Sequence, residues 1–483
     1  MQAGCLRYNG LHAMADTAIT HAITHDVMIL GAGAAGMMAA ISCSEEVLAR
    51  GQAMPQIAIL EKNPQPGIKV LVCGGGRCNL TNAGDIDFLI AQFGRNGRFL
   101  TPALRTLDNT GLRNWFARQG VSTHEEHDGK IYPDSNKASS VVNAMVDRMR
   151  ESGVHIRASC TAQSVAWDPL AHQFTVTTSA GEILISRFLL IAVGGQSYTR
   201  MGTTGDGYTF AEALGHGIIT PRPAIVPLLC KQAWISELKG LAVEDVTIRI
   251  EASGPLPRLA TGKPQPSTND MMFTHFGLSG PAVLNISEIV AELLEKFPEI
   301  TLRADFVRRM SHVELARLFR QWHTTEGRKL VRSKLAELIP HRLADMFCRL
   351  AEIDSQQVCA NLTNRQMQDL IERLKATAFT IYATRGFKEA MVTAGGVRLD
   401  EINPNTMQSR INPQLFLAGE VLDLTGPSGG YNLQLAFSTG YLAGIHIARQ
   451  LHANAQISLH QGSTVPAQSA NFNDLIRANS RVL

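Results

Sequence analysis

The 483-residue sequence is most easily bounded by what it lacks. No apolar run approaches the roughly 20 residues that a membrane span needs, so no membrane partner is expected. The first 25 residues contain no apolar h-region and read as a loose tail rather than a leader, with Met14 as an alternative start. A net charge of +3 is too small to announce a nucleic-acid binder, so any basic surface must be local. The 8 cysteines, at Cys5, Cys43, Cys73, Cys78, Cys160, Cys230, Cys348 and Cys359, are too scattered for a disulfide framework, which points to a reducing cytoplasm. No metal site and no internal repeat are evident. What is abundant is glycine, 41 residues, as proteins with many tight turns and close backbone approaches require.

The length suits about three domains. Asp26–Leu30 (DVMIL) is a short buried strand, followed by a glycine turn, a helix to about Arg50, and a second strand, Gln56–Leu60, closed by Glu61. That order predicts a right-handed βαβ unit. Residues 63–82 are too rich in Gly, Pro and Asn for regular structure until their end. Leu100–Gln119 and Lys137–Ser152 have helical spacing, with a turn-rich piece, HEEHDGKIYPDS, between them. Residues 154–193 read as a β-meander returning to the main sheet. Residues 221–287 are mixed and mostly strand-like. HVELARLFRQW, GRKLVRSKLAELI and NRQMQDLIERLK have 3.6-residue spacing. Leu415–Ala418 is again a buried strand, and a helix follows from near Tyr431 to about Leu451. The expected fold class is α/β: a Rossmann-like domain from both chain ends (26–200 and 390–452). Inserted into it are a β-rich domain (201–300 and 376–389) and a small helical insert (301–375), and residues 1–25 and 453–483 form tails.

Gly31, Gly33 and Gly36 form GAGAAG between strand and helix. The first makes the turn, the second admits a pyrophosphate, and the third lets helix and strand pack closely. With Ala34 and Ala35 they open a helix whose free N–H groups and partial positive charge suit phosphate. Glu61, 25 residues after Gly36, is placed to accept both ribose hydroxyls and disfavours a 2′-phosphate; Lys62 adjoins it. Gly74, Gly75 and Gly76 precede Arg77, Cys78 and Asn79; such a run either cradles the cofactor or is a flexible surface loop. Arg77 suits a phosphate or an anionic substrate. Cys73 and Cys78 are spaced C-x4-C, which leaves open a redox-active dithiol, although GGGR between them supports a helical turn poorly. Asp206, in TGDG, is expected to cap a helix, with an active-site acid as the alternative. In GEVLDLTGPSGGYNLQLAFSTG, Gly419 and Glu420 end a strand, and Gly430, Tyr431, Asn432 and Leu433 begin a helix. This arrangement aims a helix N-terminus at a flavin edge, with Glu420 near the ribityl chain. The two glycine turns together point to bound FAD. His275 lies beside Gly/Ser/Pro turns and faces either the cleft or the core. Residues 303–375 hold 14 Lys/Arg against 9 Asp/Glu, either a solvated face or a phosphate-binding one.

Taken together, GAGAAGMMAA, GGGRCNLTN, TGDG, FTHFGLSGPAVLNIS and GEVLDLTGPSGGYNLQLAFSTG resemble the YhiN/BaiN-type FAD-binding family, also called the aminoacetone oxidase family, from about Asp26 to Arg449. The resemblance implies an FAD domain built from both ends and places Gly31, Gly33, Gly36, Glu61, Arg77, Cys78, Asn79, Gly419, Glu420 and Asn432 on the FAD side. It implies reduction of an activated C=C with NADPH or NADH as electron donor. The first expectation is uridine to dihydrouridine in large-subunit (23S) ribosomal RNA, with the basic helical insert holding RNA and Cys78, or else His275, giving the proton. The alternatives are a small-molecule enone reductase of bile-acid or steroid type, a disulfide reductase through Cys73 and Cys78, and a flavin-binding RNA-assembly factor without turnover. Cys73 departs from the family's pattern, which has a small non-thiol residue there.

Overall fold

The computed structural model describes residues 23–126, 128–251 and 265–462. Of the expected tails, 1–25 and 453–483, residues 1–22 with Met14 and 463–483 lie outside the described residues, while 23–25 belong to the first strand and 453–462 to the last helix. The first strand, β1 (Ile23–Leu30), starts three residues earlier than its apolar run, because Ile23, Thr24 and His25 stand in parallel register with Leu184, Ile185 and Ser186. Helix α1 (Ala34–Ala49) and strand β2 (Ile57–Leu60) complete the unit, and β1 and β2 pair in parallel from Val27↔Ile57 to Leu30↔Leu60. A seven-stranded sheet grows from this pair in the order 155–157, β2, β1, 183–191, 173–178, 162–168, with 415–417 added beside 183–191. Its central strands are buried on both faces, and their near-continuous apolar runs are what parallel strands under helices require.

The late strand Leu415–Leu417 pairs in parallel with Leu189–Ile191, so the end of the chain enters the sheet two strands from its beginning. The helix that follows, Tyr431–Gly462, runs past the expected Leu451, since nothing from His452 to Gln461 breaks it. It crosses α1 at small residues: a Cβ on Gly440 would stand 2.2 Å from the Ala35 carbonyl oxygen, and one on Gly444 2.2 Å from that of Ala39.

Other sequence expectations shift. A five-residue helix, α2 (Ile68–Val72), forms inside the stretch expected to be irregular, entered through Gly67 at φ +72° with Val70 buried. The single helix expected over 100–119 breaks at Asp108, whose carboxylate accepts from the Gly111 N–H (2.6 Å) and caps a second helix, Asn109–Arg118. Strands 123–125 and 130–133 pair within the turn-rich piece.

A second hydrophobic core lies between residues 228 and 381. Six antiparallel strands close into a barrel in the order 228–230, 277–279, 267–273, 242–251, 300–305, 377–384. The expected helical insert at 301–375 therefore starts too early: Ile300, Leu302 and Ala304 point inward while Thr301, Arg303 and Asp305 do not, the period-2 pattern of a barrel strand. The helices 312–325 and 364–376 begin with capping boxes, Ser311 with Glu314 and Thr363 with Gln366. Their Phe319, Trp322, Leu370 and Leu374, with Phe347 from 341–350, pack into the barrel's own core. Strands 218–224 and 392–397 pair antiparallel and carry the chain between the two cores.

Candidate flavin site

At the C-terminal ends of β1, β2 and 183–191 a cleft opens between the two glycine turns. Ligands of open parallel sheets bind at this edge. Of the residues expected to bind cofactor, Gly31, Gly33, Ala34, Ala35, Glu61, Lys62, Gly419, Glu420, Asn432 and Leu433 line the cleft. Gly36, Gly75, Gly76, Arg77, Cys78, Asn79, Gly430 and Tyr431 do not.

The three glycines of the opening turn are small for different reasons. Gly31, at φ +95°, would drive a Cβ to 2.7 Å from the Ala192 carbonyl oxygen, and Gly36 would drive one to 2.0 Å from that of Gly31. A Cβ on Gly33 would meet no protein atom within 4 Å. Only the space of the cleft itself calls for glycine at 33. Helix α1 has no side-chain cap at Gly33 and no acid in its first turn, so its leading N–H groups and partial positive charge are left for an anion. Buried Glu61 accepts from Ala32 N–H (3.0 Å), Asn63 N–H (2.9 Å) and the Asn63 amide (2.7 Å). A carboxylate offers about four acceptor positions, so about one remains for a ribose hydroxyl rather than the two expected. These features fit the adenosine diphosphate half of FAD.

The opposite wall is built from distant segments. Asn432 accepts from Gly426 N–H (2.9 Å) and donates to the carbonyls of Gly426 (2.8 Å) and Pro427 (3.2 Å), which fixes the GPSGG turn at the helix start. Asn285, from the FGLSGPAVLNIS segment, accepts from Ser428 N–H (3.2 Å) and Oγ (2.9 Å), so the barrel half steadies the same turn. Glu420 Oε1 accepts from Ser197 Oγ (2.6 Å) and Thr393 N–H (2.8 Å), while Oε2 takes the ammonium of Lys69, which also donates to Ser197 Oγ (2.7 Å). Sequence reasoning missed Lys69, Ser197, Thr393 and Asn285. Lys69 left one trace, a single cation inside the apolar run IKVLVC.

The GGGRCN loop takes a course of its own. Gly74, Gly75, Gly76 and Cys78 all have positive φ, +58°, +67°, +86° and +64°. Gly75 is exposed, and Arg77 binds Glu126 (2.5 Å) and Asn136 (2.9 Å) while stacking on Tyr132. The Asn79 amide, oriented to satisfy both its sides, donates to Thr81 and Ile131 carbonyls and accepts from Gly430 N–H (3.0 Å), locking this loop to the closing turn. Gly430 is itself held tight, since a Cβ there would lie 2.4 Å from the Thr81 oxygen.

The expected proton donors lie apart from the cleft. Cys78 is wholly buried, and burial holds its thiol well above the ordinary range. His275 is exposed and sits edge-on to Phe276. It is Cys73 that lines the cleft; its thiol donates to the Lys69 carbonyl (3.1 Å), and burial pushes its pKa up to about 11. Both cysteines are free thiols. Asp206 does not cap its helix: Gly205, at φ +86°, holds that position, and the Asp206 carboxylate instead takes Lys62 (2.6 Å) and Thr204 (2.8 Å). Among the described residues no group of three or more His, Cys, Asp or Glu is arranged to hold a metal, and no helix is long and apolar enough to cross a membrane.

Residues 25–446 match the family described as HI0933-like protein Rossmann domain. Over 417 residues, 86% of this chain and 97% of the relative, the sequence is 32% identical to a 3-dehydro-bile acid delta(4,6)-reductase of Clostridium scindens. It is 32% identical over 421 residues, 86% of this chain and 96% of the relative, to a ribosomal RNA dihydrouridine synthase of Escherichia coli. A ribosomal RNA dihydrouridine synthase of Haemophilus influenzae is 28% identical over 428 residues, 88% and 98% of the two chains. With that match over most of its length and a cleft shaped for a dinucleotide, the chain belongs to the HI0933-like family and is an FAD-dependent oxidoreductase.

Proposed function

We propose that this enzyme takes hydride from NADPH or NADH and reduces an activated C=C, converting uridine to dihydrouridine in large-subunit (23S) ribosomal RNA in the cytoplasm. FAD, when bound, supplies the hydride. The observation that favours RNA is the exposed basic surface of the helical residues. Arg320, Arg328 and Arg365 are exposed and have no ion-pair partner among the described residues. Cations not neutralised by neighbours are the ones that release counterions on binding a phosphate backbone. Two relatives bear the name of that activity.

The chain's own chemistry is to orient the acceptor, exclude water and deliver a proton to the carbon beside the one that receives hydride. Cys73 suits that last role better than Cys78 or His275, because it lines the cleft and its thiol stays protonated at neutral pH. Uracil must leave its stack to enter. A second reading, reduction of a steroid-like enone, draws on the bile-acid reductase relative and on the apolar lining Val193, Phe210, Met391, Val392 and Leu433.

Mass spectrometry of ribosomal RNA nucleosides, with and without the gene, separates the two. Dihydrouridine should fall in the deletion strain and return on complementation. An unchanged level would remove the RNA reading, and turnover of a steroid dienone that is indifferent to salt would install the second.

A further inference from the structure

The cleft has a direction. Glu61, Lys62 and Asn63 mark its ribose end, the N-terminus of α1 its pyrophosphate stretch, and the closing turn with Glu420, Asn432 and Leu433 its flavin end. Lys69 stands at that last wall, on α2, one turn before Cys73. Its side chain is 20% exposed and that of Glu420 18%. An ammonium has three N–H donors. Ser197 and Glu420 take two of them, and the third is left for the cleft. Glu420 is equally committed, to Ser197, Thr393 N–H and Lys69. The pair thus joins four segments that the chain holds far apart: α2, the turn after 183–191, the strand 392–397, and the turn after 415–417.

We propose that Lys69 and Glu420 form a balanced charge pair beside the bound flavin, each partner cancelling the other's effect on its reduction potential. Hydride from the nicotinamide donor brings two electrons and one proton to a neutral oxidised ring, so the site gains one negative charge. In a partly buried site, a neighbouring cation favours that gain and a neighbouring carboxylate opposes it. With both present the two effects offset. Removing either partner unmasks the other, and the shifts have opposite signs. The proposal holds whichever acceptor is reduced.

The test is potentiometric titration of FAD-loaded wild-type, Lys69→Met, Glu420→Gln and double-variant protein, with FAD content read from absorbance. In Lys69→Met the reduced form should be disfavoured at least tenfold, about 30 mV lower for a two-electron couple. Glu420→Gln should move the potential up by a similar amount, and the double variant should return to within threefold of wild type. Shifts of the same sign, or unshifted potentials with FAD retained, would overturn the proposal. If Lys69→Met is isolated without FAD, Lys69→Arg decides: FAD bound near the wild-type potential supports a charge effect, and FAD lost there too overturns it in favour of shape. A wild-type protein that cannot be loaded with FAD would instead remove the cofactor itself.

Discussion

The opening turn at 31–36 and the loop at 74–79 are both glycine-rich, yet their glycines answer to different constraints. In the opening turn, two of three glycines are required by backbone oxygens that would stand 2.7 Å and 2.0 Å from a Cβ, too close for any side chain, and the third by open space in the cleft. In the second loop, three successive glycines are required by conformation: the chain holds positive φ from Gly74 to Gly76, and Gly75 has no atom within 4 Å of where a Cβ would go. The first is a packed joint, the second a path. A glycine count cannot tell them apart, but a substitution can.

The comparison is broken most sharply at Gly36. Gly36→Ala places a methyl 2.0 Å from the Gly31 oxygen and should destabilise the protein by on the order of 3 kcal/mol, read by denaturant unfolding of the apoprotein. An unfolding midpoint equal to wild type would mean that the turn yields freely. Next in size is the thiol at the end of α2. Cys73→Ala should slow acceptor reduction by roughly 100-fold while leaving reduction of FAD by the nicotinamide donor intact. Cys78→Ala should act on stability instead. Because the Cys73 thiol is held up to about 11, wild-type turnover should not decline through thiol ionisation between about pH 7 and 9; a fall there that Cys73→Ala abolishes would contradict the assignment.

Gly33→Ala meets no protein atom, so the apoprotein should melt as wild type does while FAD binds about tenfold more weakly, about 1.4 kcal/mol, by titration calorimetry. Undiminished FAD affinity would remove Gly33 from the phosphate cradle. The smallest effect is expected in the second loop: Gly75→Ala should cost about 1 kcal/mol of stability, the price of a left-handed alanine, with no loss of FAD.

What could be read in advance followed from local chemistry. GAGAAG between a strand and a helix, with an acid closing the next strand, is a pattern whose parts lie within one supersecondary unit, and the structure builds it that way. The closing turn was legible for the same reason. The charge pair was not, since Lys69 meets Glu420 across 351 residues and Ser197 across 128. No periodicity records such a pairing. Nor does the spacing of Cys73 and Cys78 reveal which of them lines the cleft; four positive φ values between and at their ends turn one outward and the other into the core. The strand at 300–305 was absorbed into a helical insert because its alternation is short and the helical spacing beyond it is strong.

The crossing of the long terminal helix over α1 also bears on biosynthesis. The βαβ unit leaves the ribosome early, but the helix that lies against Ala35 and Ala39, and the strand that floors the flavin end, emerge only after residues 61–414 have been made. Cofactor capture must therefore wait until the segment from Leu415 onward has docked. A nascent chain truncated before Leu415 should carry half of a cradle and retain no colour.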